Sequence, residues 1–273
     1  MSASSSLFQI LFLGTGTSTG VPMIGCTCPV CRSSDPRNRR LRSSLYLRLG
    51  EVRVLIDTAP DLREQAMRHD IRRIDGVLFT HAHADHLFGF DDLRRFNTLQ
   101  ENRSIPAYGV PETLDEVRRI YRYLFGPRQA GLYRANIDLH PVEGLFRVGS
   151  LGGAPDADSP AILPVHVVHD DSRTVGFRID FDGRAIGYAP DCVTLPEASI
   201  AQFRGVDVMI LDALRYRPHL THMHLEASLE AVERIHPASA YLTHIGHDIE
   251  HATLTRQLPP RVRLAYDGLT VDL

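Results

Sequence analysis

The stretch Gly76-Val77-Leu78-Phe79-Thr80-His81-Ala82-His83-Ala84-Asp85-His86-Leu87-Phe88-Gly89 decides how this chain is read. It opens as an apolar run of strand character. Four potential metal ligands, His81, His83, Asp85 and His86, then fall within six positions. Three imidazoles and a carboxylate this close make poor core packing, because they would repel or stay unpaired. A divalent cation satisfies them: neutral imidazole and carboxylate suit zinc, manganese and iron. In extended backbone His81 and His83 project the same way. Asp85 and His86 come where the strand gives way to loop or helix and can face a second, neighbouring position.

Working outward, apolar alternation predicts strands at 9–13, 44–49, 52–56, 76–80, 162–168, 175–180, 185–188, 206–211, 240–243 and 263–266. The second and third form a hairpin across Gly50-Glu51. Helical periodicity covers 60–68, 111–124, 225–235 and 249–257, with Asp61 and Glu64 suited to the start of the first. Early hairpins followed by alternating strands and helices imply a layered α/β protein with mixed sheets. The Gly/Pro-rich stretch 149–164 is expected as a long loop forming a lip over a cleft. No linker interrupts the pattern, so 1–273 is taken as one domain. Three further candidate ligands sit where strands should end, the usual place for sites in α/β proteins: His169, Asp191 and His244.

Composition sets the outer bounds. The chain has 273 residues, 43% of them hydrophobic, enough to bury a full core. A net charge of −3 gives no bulk attraction for nucleic acid. A local basic patch at Arg32, Arg37, Arg39, Arg40, Arg42 and Arg48 competes with a plain solvated loop. No run approaches the roughly eighteen apolar residues of a membrane span. The first six residues lack a basic region and the apolar run 7–13 is short, so no signal peptide is expected. Three of the four cysteines, Cys26, Cys28 and Cys31, lie within six positions, which points to a reducing, cytoplasmic setting and a metal site. Tetrahedral structural zinc needs a fourth ligand. Cys192 is one candidate, and His247, three residues after His244, is the better one. A redox pair of Cys28 and Cys31 would leave Cys26 idle.

The run His81-x-His83-x-Asp85-His86, followed in order by His169, Asp191 and His244, resembles the metallo-β-lactamase superfamily. Leu13-Gly14-Thr15-Gly16 and Leu55-Ile56-Asp57-Thr58 extend the likeness over nearly the whole chain. The resemblance implies an αββα sandwich of two mixed β-sheets flanked by helices, with metals at one edge. It implies His81, His83 and His169 on one cation, Asp85, His86 and His244 on the other, and Asp191 bridging. His166 competes with His169; the spacing to Gly176-Phe177 favours His169. Two such cations share a hydroxide and lower its pKa, and they stabilise charge on a phosphoryl group. Asp57 and Asp212 could orient ligand imidazoles.

The three-cysteine loop with a late histidine narrows the likeness to the phosphoribosyl cyclic phosphodiesterase branch. That branch implies one structural zinc on Cys26, Cys28, Cys31 and His247, a hydrolytic pair of manganese or zinc ions, and a possible homodimer. It also carries a histidine before a late helix that contacts the substrate phosphate and protonates the leaving oxygen. His222 matches it, with His219 and His224 as alternatives. The catalytic candidates are thus Asp85, also a ligand, and His222. The expected substrate is a small, cyclic phosphodiester, with no membrane or nucleic-acid partner. Competing readings are a tRNA 3′-processing nuclease, a lactone or thioester hydrolase, a quinone-cofactor biosynthesis protein with a similar cysteine loop, and a non-enzymatic zinc protein.

Overall fold

The computed structural model describes residues 7–126, 133–150 and 152–273. Residues 1–6 lie outside the described residues, and with them part of the segment in which no signal peptide was expected. The chain builds two seven-stranded sheets. The first contains β1 (Phe8–Gly14), β2 (Ser44–Leu49), β3 (Val52–Ile56), β4 (Gly76–Leu78), β5 (Ile105–Gly109), β6 (Ile137–Pro141) and the last strand, β14 (Thr270–Asp272), in the order β14-β1-β2-β3-β4-β5-β6. The second holds β7 (Phe146–Arg147), β8 (Ala161–Val167), β9 (Thr174–Phe181), β10 (Arg184–Ala189), β11 (Val208–Asp212), β12 (Ser239–Thr243) and β13 (Val262–Leu264), in reverse spatial order. Helices α1 (Leu62–Arg68), α2 (Ala84–Leu87), α3 (Leu93–Leu99), α4 (Pro111–Ile120) and α5 (Arg122–Phe125) belong to the first half. Helices α6 (Glu197–Phe203), α7 (Leu225–Ile235) and α8 (His251–Thr255) belong to the second.

Strand alternation explains why these sheets face each other. Phe8, Ile10 and Phe12 of β1, Val54 and Ile56 of β3, and Ile186 and Tyr188 of β10 share one buried cluster between the sheets. Their neighbours in sequence turn the other way. Leu11, Leu13 and Leu55 pack outward with Leu62, Leu93 and Leu114 of the first helical layer. Ala185, Met209, Leu211 and Leu242 pack with Ile200, Val232 and Leu254 of the second. Period-two side chains that are apolar on both faces require a layer on each side, giving the expected four-layer αββα sandwich. At Gly176, against the neighbouring strand β10, and at Gly89, against the loop that follows β3, backbones pack so closely that a Cβ would fall 2.5 Å from the Tyr188 carbonyl oxygen and 2.1 Å from that of Ala59.

Several expectations need correction. The 149–164 stretch, whose Leu151 lies outside the described residues, is no lip. β8 runs antiparallel to β9, with Ala161 opposite Asp180 and Val167 opposite Thr174, so the residues before β8 sit at the end of the sheet away from His169. The helix predicted at 111–124 breaks at Tyr121, whose ring packs 4.9 Å from Phe90 and whose hydroxyl donates to the Leu87 carbonyl. Asp61 makes no side-chain cap on α1; its carboxylate takes the Arg42 backbone N–H and guanidinium instead. Three of the six arginines of the basic stretch are tied into ion pairs or buried. Arg37 pairs with Asp35, Arg42 with Asp61, and Arg40 is fully buried, donating to the carbonyls of Gly246 and Ile249 and to Asn38 Oδ1.

Candidate metal centre

The directions of the strands gather the site. β3, β4 and β5 are parallel, as are β10, β11 and β12, and β8 shares the direction of β10 through the antiparallel β9. Asp57 follows β3, the His81–His86 run follows β4, His169 follows β8, Asp191 follows β10, Asp212 ends β11 and His244 follows β12. Every predicted ligand of the hydrolytic pair therefore emerges at the same edge of the sandwich.

Among the described residues they form two adjoining groups, each close enough to hold one ion: His81, His83 and His169, and Asp85, His86, Asp191 and His244. In the first, His83 Nδ1 is 3.3 Å from His169 Nε2. In the second, His86 Nε2 lies 3.4 Å from Asp85 Oδ2 and 3.0 Å from Asp191 Oδ2, and His244 Nε2 lies 3.6 Å from Asp85 Oδ2 and 3.2 Å from Asp191 Oδ1. Asp191 Oδ1 is also 4.0 Å from His169 Nε2, so this carboxylate stands between the groups. Ligands about 2.0–2.1 Å from a tetrahedral ion are roughly 3.3 Å apart, the spacing seen here. His166, by contrast, points to solvent from β8, and His169 takes the site position.

The chemistry of the donors fits a cation. His81 Nε2, His86 Nε2, His244 Nε2 and Asp191 Oδ2 are buried without a hydrogen-bond partner among the described residues, a state that costs free energy unless something satisfies them. Burial holds His81 and His169 below the ordinary histidine value, so their lone pairs are free. Burial would raise Asp191, yet His244 and His86 beside it hold it well below the usual carboxylate range. Burial would lower His86, but Asp191, Asp85 and Asp57 raise it well above. The carboxylates thus demand positive charge at this spot, which a metal ion supplies.

Groups behind the ligands fix their orientation. Asp57 accepts from His86 Nδ1 at 2.8 Å and from the Thr80 backbone N–H and hydroxyl at 2.9 and 2.8 Å. His169 Nδ1 donates to the Thr221 carbonyl at 2.8 Å. Asp57 and His244 both adopt left-handed backbone, φ 61° and 56°, which non-glycine residues hold only where the surroundings enforce it. Asp212 differs from expectation: it bonds His222 Nδ1 at 2.7 Å, while its approach to the candidate ligand His244 is a longer 3.8 Å. His222 stacks on His244 at 4.6 Å and meets His169 edge-on at 4.7 Å. His219 stands beside His222 at 5.2 Å, its Nδ1 accepting from the Thr221 N–H. His224 precedes α7 and turns toward Glu226, away from this row.

Beside the edge, Cys26, Cys28 and Cys31 surround His247 Nδ1 at 3.2, 3.5 and 3.7 Å. Thiolate and imidazole ligands of one zinc ion are separated by roughly 3.5 Å. The Cys31 backbone N–H pulls the Cys28 thiol down to about 6, while burial pushes Cys31 up to about 11. Cys192 is buried elsewhere, its thiol toward the Ala189 carbonyl, so His247 is the fourth member.

Fold and cage together define a metal-dependent hydrolase that works with divalent ions. The sequence model of the β-lactamase superfamily domain matches residues 52–245, and the chain belongs to that superfamily, in its PhnP branch. A solved structure described as a new diphosphatase from the PhnP family is 36% identical, with a TM-score of 0.86 over 97% of this chain and 98% of that one. An octanoyltransferase of Porphyromonas gingivalis is 32% identical over 269 residues, 96% of this chain but 51% of its own length; the chain spans about half of that relative. Zn(2+)-bound PqqB from Methylobacterium extorquens shares the fold, with a TM-score of 0.76 at 21% identity over 97% of this chain and 100% of that one. No helix among the described residues is long and apolar enough to cross a membrane.

Proposed function

We propose that this protein is a dinuclear phosphodiesterase acting on a small, cyclic phosphodiester, such as phosphoribosyl cyclic phosphate or a cyclic nucleotide, with His222 as the proton donor to the leaving oxygen. One observation carries the reading: the His222–Asp212 pair, bonded at 2.7 Å, stands against both halves of the ligand cage. His81, His83 and His169 would hold one cation, Asp85, His86 and His244 the other, and Asp191 would touch both. Manganese and zinc both suit such a set, and a structural zinc would occupy the cysteine loop. When bound, the pair supplies Lewis acidity toward the phosphoryl group and a nucleophile available at neutral pH.

The protein's own groups do the rest. Asp212 accepts the hydrogen bond of His222 Nδ1–H, which fixes the ring and leaves Nε2 for the substrate. Burial lowers His222 below the ordinary histidine value in the free protein. An arriving phosphoryl anion favours the charged ring, so the acid is formed when substrate binds. His219, half-buried beside His222, is the second imidazole near the cage. The 36%-identical neighbour, described as a diphosphatase, favours a second reading in which the broken bond is a phosphoanhydride; the same acid would serve it.

The test joins metal analysis to a panel of cyclic diesters, linear diesters, diphosphates, a lactone, a thioester and a tRNA precursor. About three metals per chain and preference for small phosphodiesters are expected. His222→Ala should lower kcat about 10²–10⁴-fold on diesters with poor leaving groups and less than about tenfold on activated aryl diesters. Equal losses on both would overturn the proton-donor role, and turnover confined to acyl substrates would overturn the phosphodiesterase reading.

A further inference from the structure

The supports behind the ligand imidazoles are unequal. His86 is held by Asp57 with both side chains closed to solvent. His81 Nδ1 lies 3.0 Å from the Thr80 hydroxyl, and both residues are buried. His83 is different: its side chain is 45% exposed. The ring turns Nδ1 inward, toward His169 Nε2, and its outward Nε2 meets Asp170 Oδ2 at 3.0 Å. Asp170 is itself braced, its Oδ1 accepting from the Ser172 backbone N–H at 2.8 Å and hydroxyl at 2.5 Å. That hydroxyl is 3.3 Å from Thr174 Oγ1 at the start of β9, so the brace is anchored to the sheet. Two consecutive residues thus serve one position: His169 offers a ligand nitrogen, and Asp170 steers a second ligand from the other half of the chain.

We infer that Asp170, braced by Ser172, is a positioning residue that locks His83 with Nδ1 facing the cage, so that the position formed by His81, His83 and His169 depends on it and the one formed by Asp85, His86 and His244 does not. The reasoning is electrostatic and entropic. An imidazole that ligates through Nδ1 must carry its proton on Nε2, and a carboxylate accepting there favours that tautomer and strengthens the opposite nitrogen as a donor. An exposed ring without this acceptor would rotate freely and lose that freedom on binding. The buried ligands are held by packing as well; His83 has little else. This inference rests on the two-cation reading above.

The test uses the full chain, stripped with chelator and titrated with Co2+ alone, following thiolate charge-transfer absorption for the cysteine loop and visible ligand-field bands and calorimetry for the other positions. The wild type should take two ions at the histidine and aspartate set. Asp170→Ala should weaken one of these two by roughly 10–100-fold, leaving the other and the cysteine loop unchanged. Ser172→Ala should weaken the same ion by less than about tenfold, and Asp171→Ala, next along the chain and exposed, should change nothing. Unchanged cysteine-loop uptake in Asp170→Ala certifies folding. A wild type with two such ions and an Asp170→Ala variant that matches it, or that loses both equally, overturns the inference alone. A wild type that takes one ion there overturns the two-cation reading, and the asymmetry falls with it.

Discussion

Asp57→Asn isolates what a buried carboxylate contributes behind a ligand. Asn keeps the shape and tolerates the left-handed backbone at φ 61°, where Ala would add roughly 1–2 kcal/mol of conformational cost. The change therefore acts through hydrogen bonds. Asp57 accepts three, from the Thr80 N–H, the Thr80 hydroxyl and His86 Nδ1. An amide has one oxygen, so its NH2 must face either the Thr80 N–H or the His86 nitrogen, donor against donor. One buried donor is orphaned either way, and a charge-assisted bond weakens, for a cost of about 2–4 kcal/mol. If His86 escapes by moving its proton to Nε2, that proton sits where a cation must bind, weakening metal by roughly 10–100-fold, or about 1.4–2.7 kcal/mol. Urea unfolding in chelator reads the first cost, and unfolding in excess zinc reads the sum. A variant within about 0.5 kcal/mol of wild type in chelator, with unchanged zinc affinity, would refute the reasoning.

Cys28→Ser should remove about one equivalent of zinc from the loop and cost about 2 kcal/mol or more, about 4–8 °C of Tm for a chain this long; unchanged Tm and zinc with lost turnover would contradict a structural role. Glu250 caps α8, accepting the Ala252 and Thr253 N–H groups, and also takes Asn38 Nδ2 at 2.8 Å. Glu250→Ala should cost about 1 kcal/mol at pH 7 by equilibrium unfolding. The Asn38 bond and the cap hold this carboxylate down to about 2, below its ordinary 4.5. A depressed acid stabilises above its unfolded pKa, so the difference between wild type and variant should persist above pH 4.5 and vanish as pH falls through about 2. A gap independent of pH across that window would show that the charge plays no part.

The sandwich was legible because its inner strands are long and apolar on alternating faces; the 44–49 and 52–56 hairpin matches β2 and β3 residue for residue. What escaped was short or weakly patterned. β5 reads Ile-Pro-Ala-Tyr-Gly and β6 Ile-Asp-Leu-His-Pro, with prolines that argue against strand, and β14 is three residues of a terminal edge. α3 and α6 span seven residues each, under two full turns, too brief for periodicity to separate from loop. The candidate ligands were legible because they cluster in sequence or end apolar runs. Their supports were less so. Asp57 stood out after β3, but the target of Asp212 was missed, since nothing in the sequence decides between His222 and His244 across a shared edge. Asp170 carried no signal at all as a brace for His83, because that contact joins two loops only once the sheets have closed. Arg40 was misread because a run of arginines says nothing about which one turns inward.

That closure has a mechanical corollary. His81 through His86 come from one sheet, and His169, Asp191 and His244 from the other. A bound ion pair would therefore be a rivet through a seam, added to the apolar packing and to the backbone bonds that already cross it, Ile245 N–H to the Thr15 carbonyl and Val175 N–H to the Thr80 carbonyl. Anything that prises the layers apart, even at the end remote from the rivet, must loosen its grip on metal. Conversely, stripping the metal should let the two layers breathe against each other before either one frays.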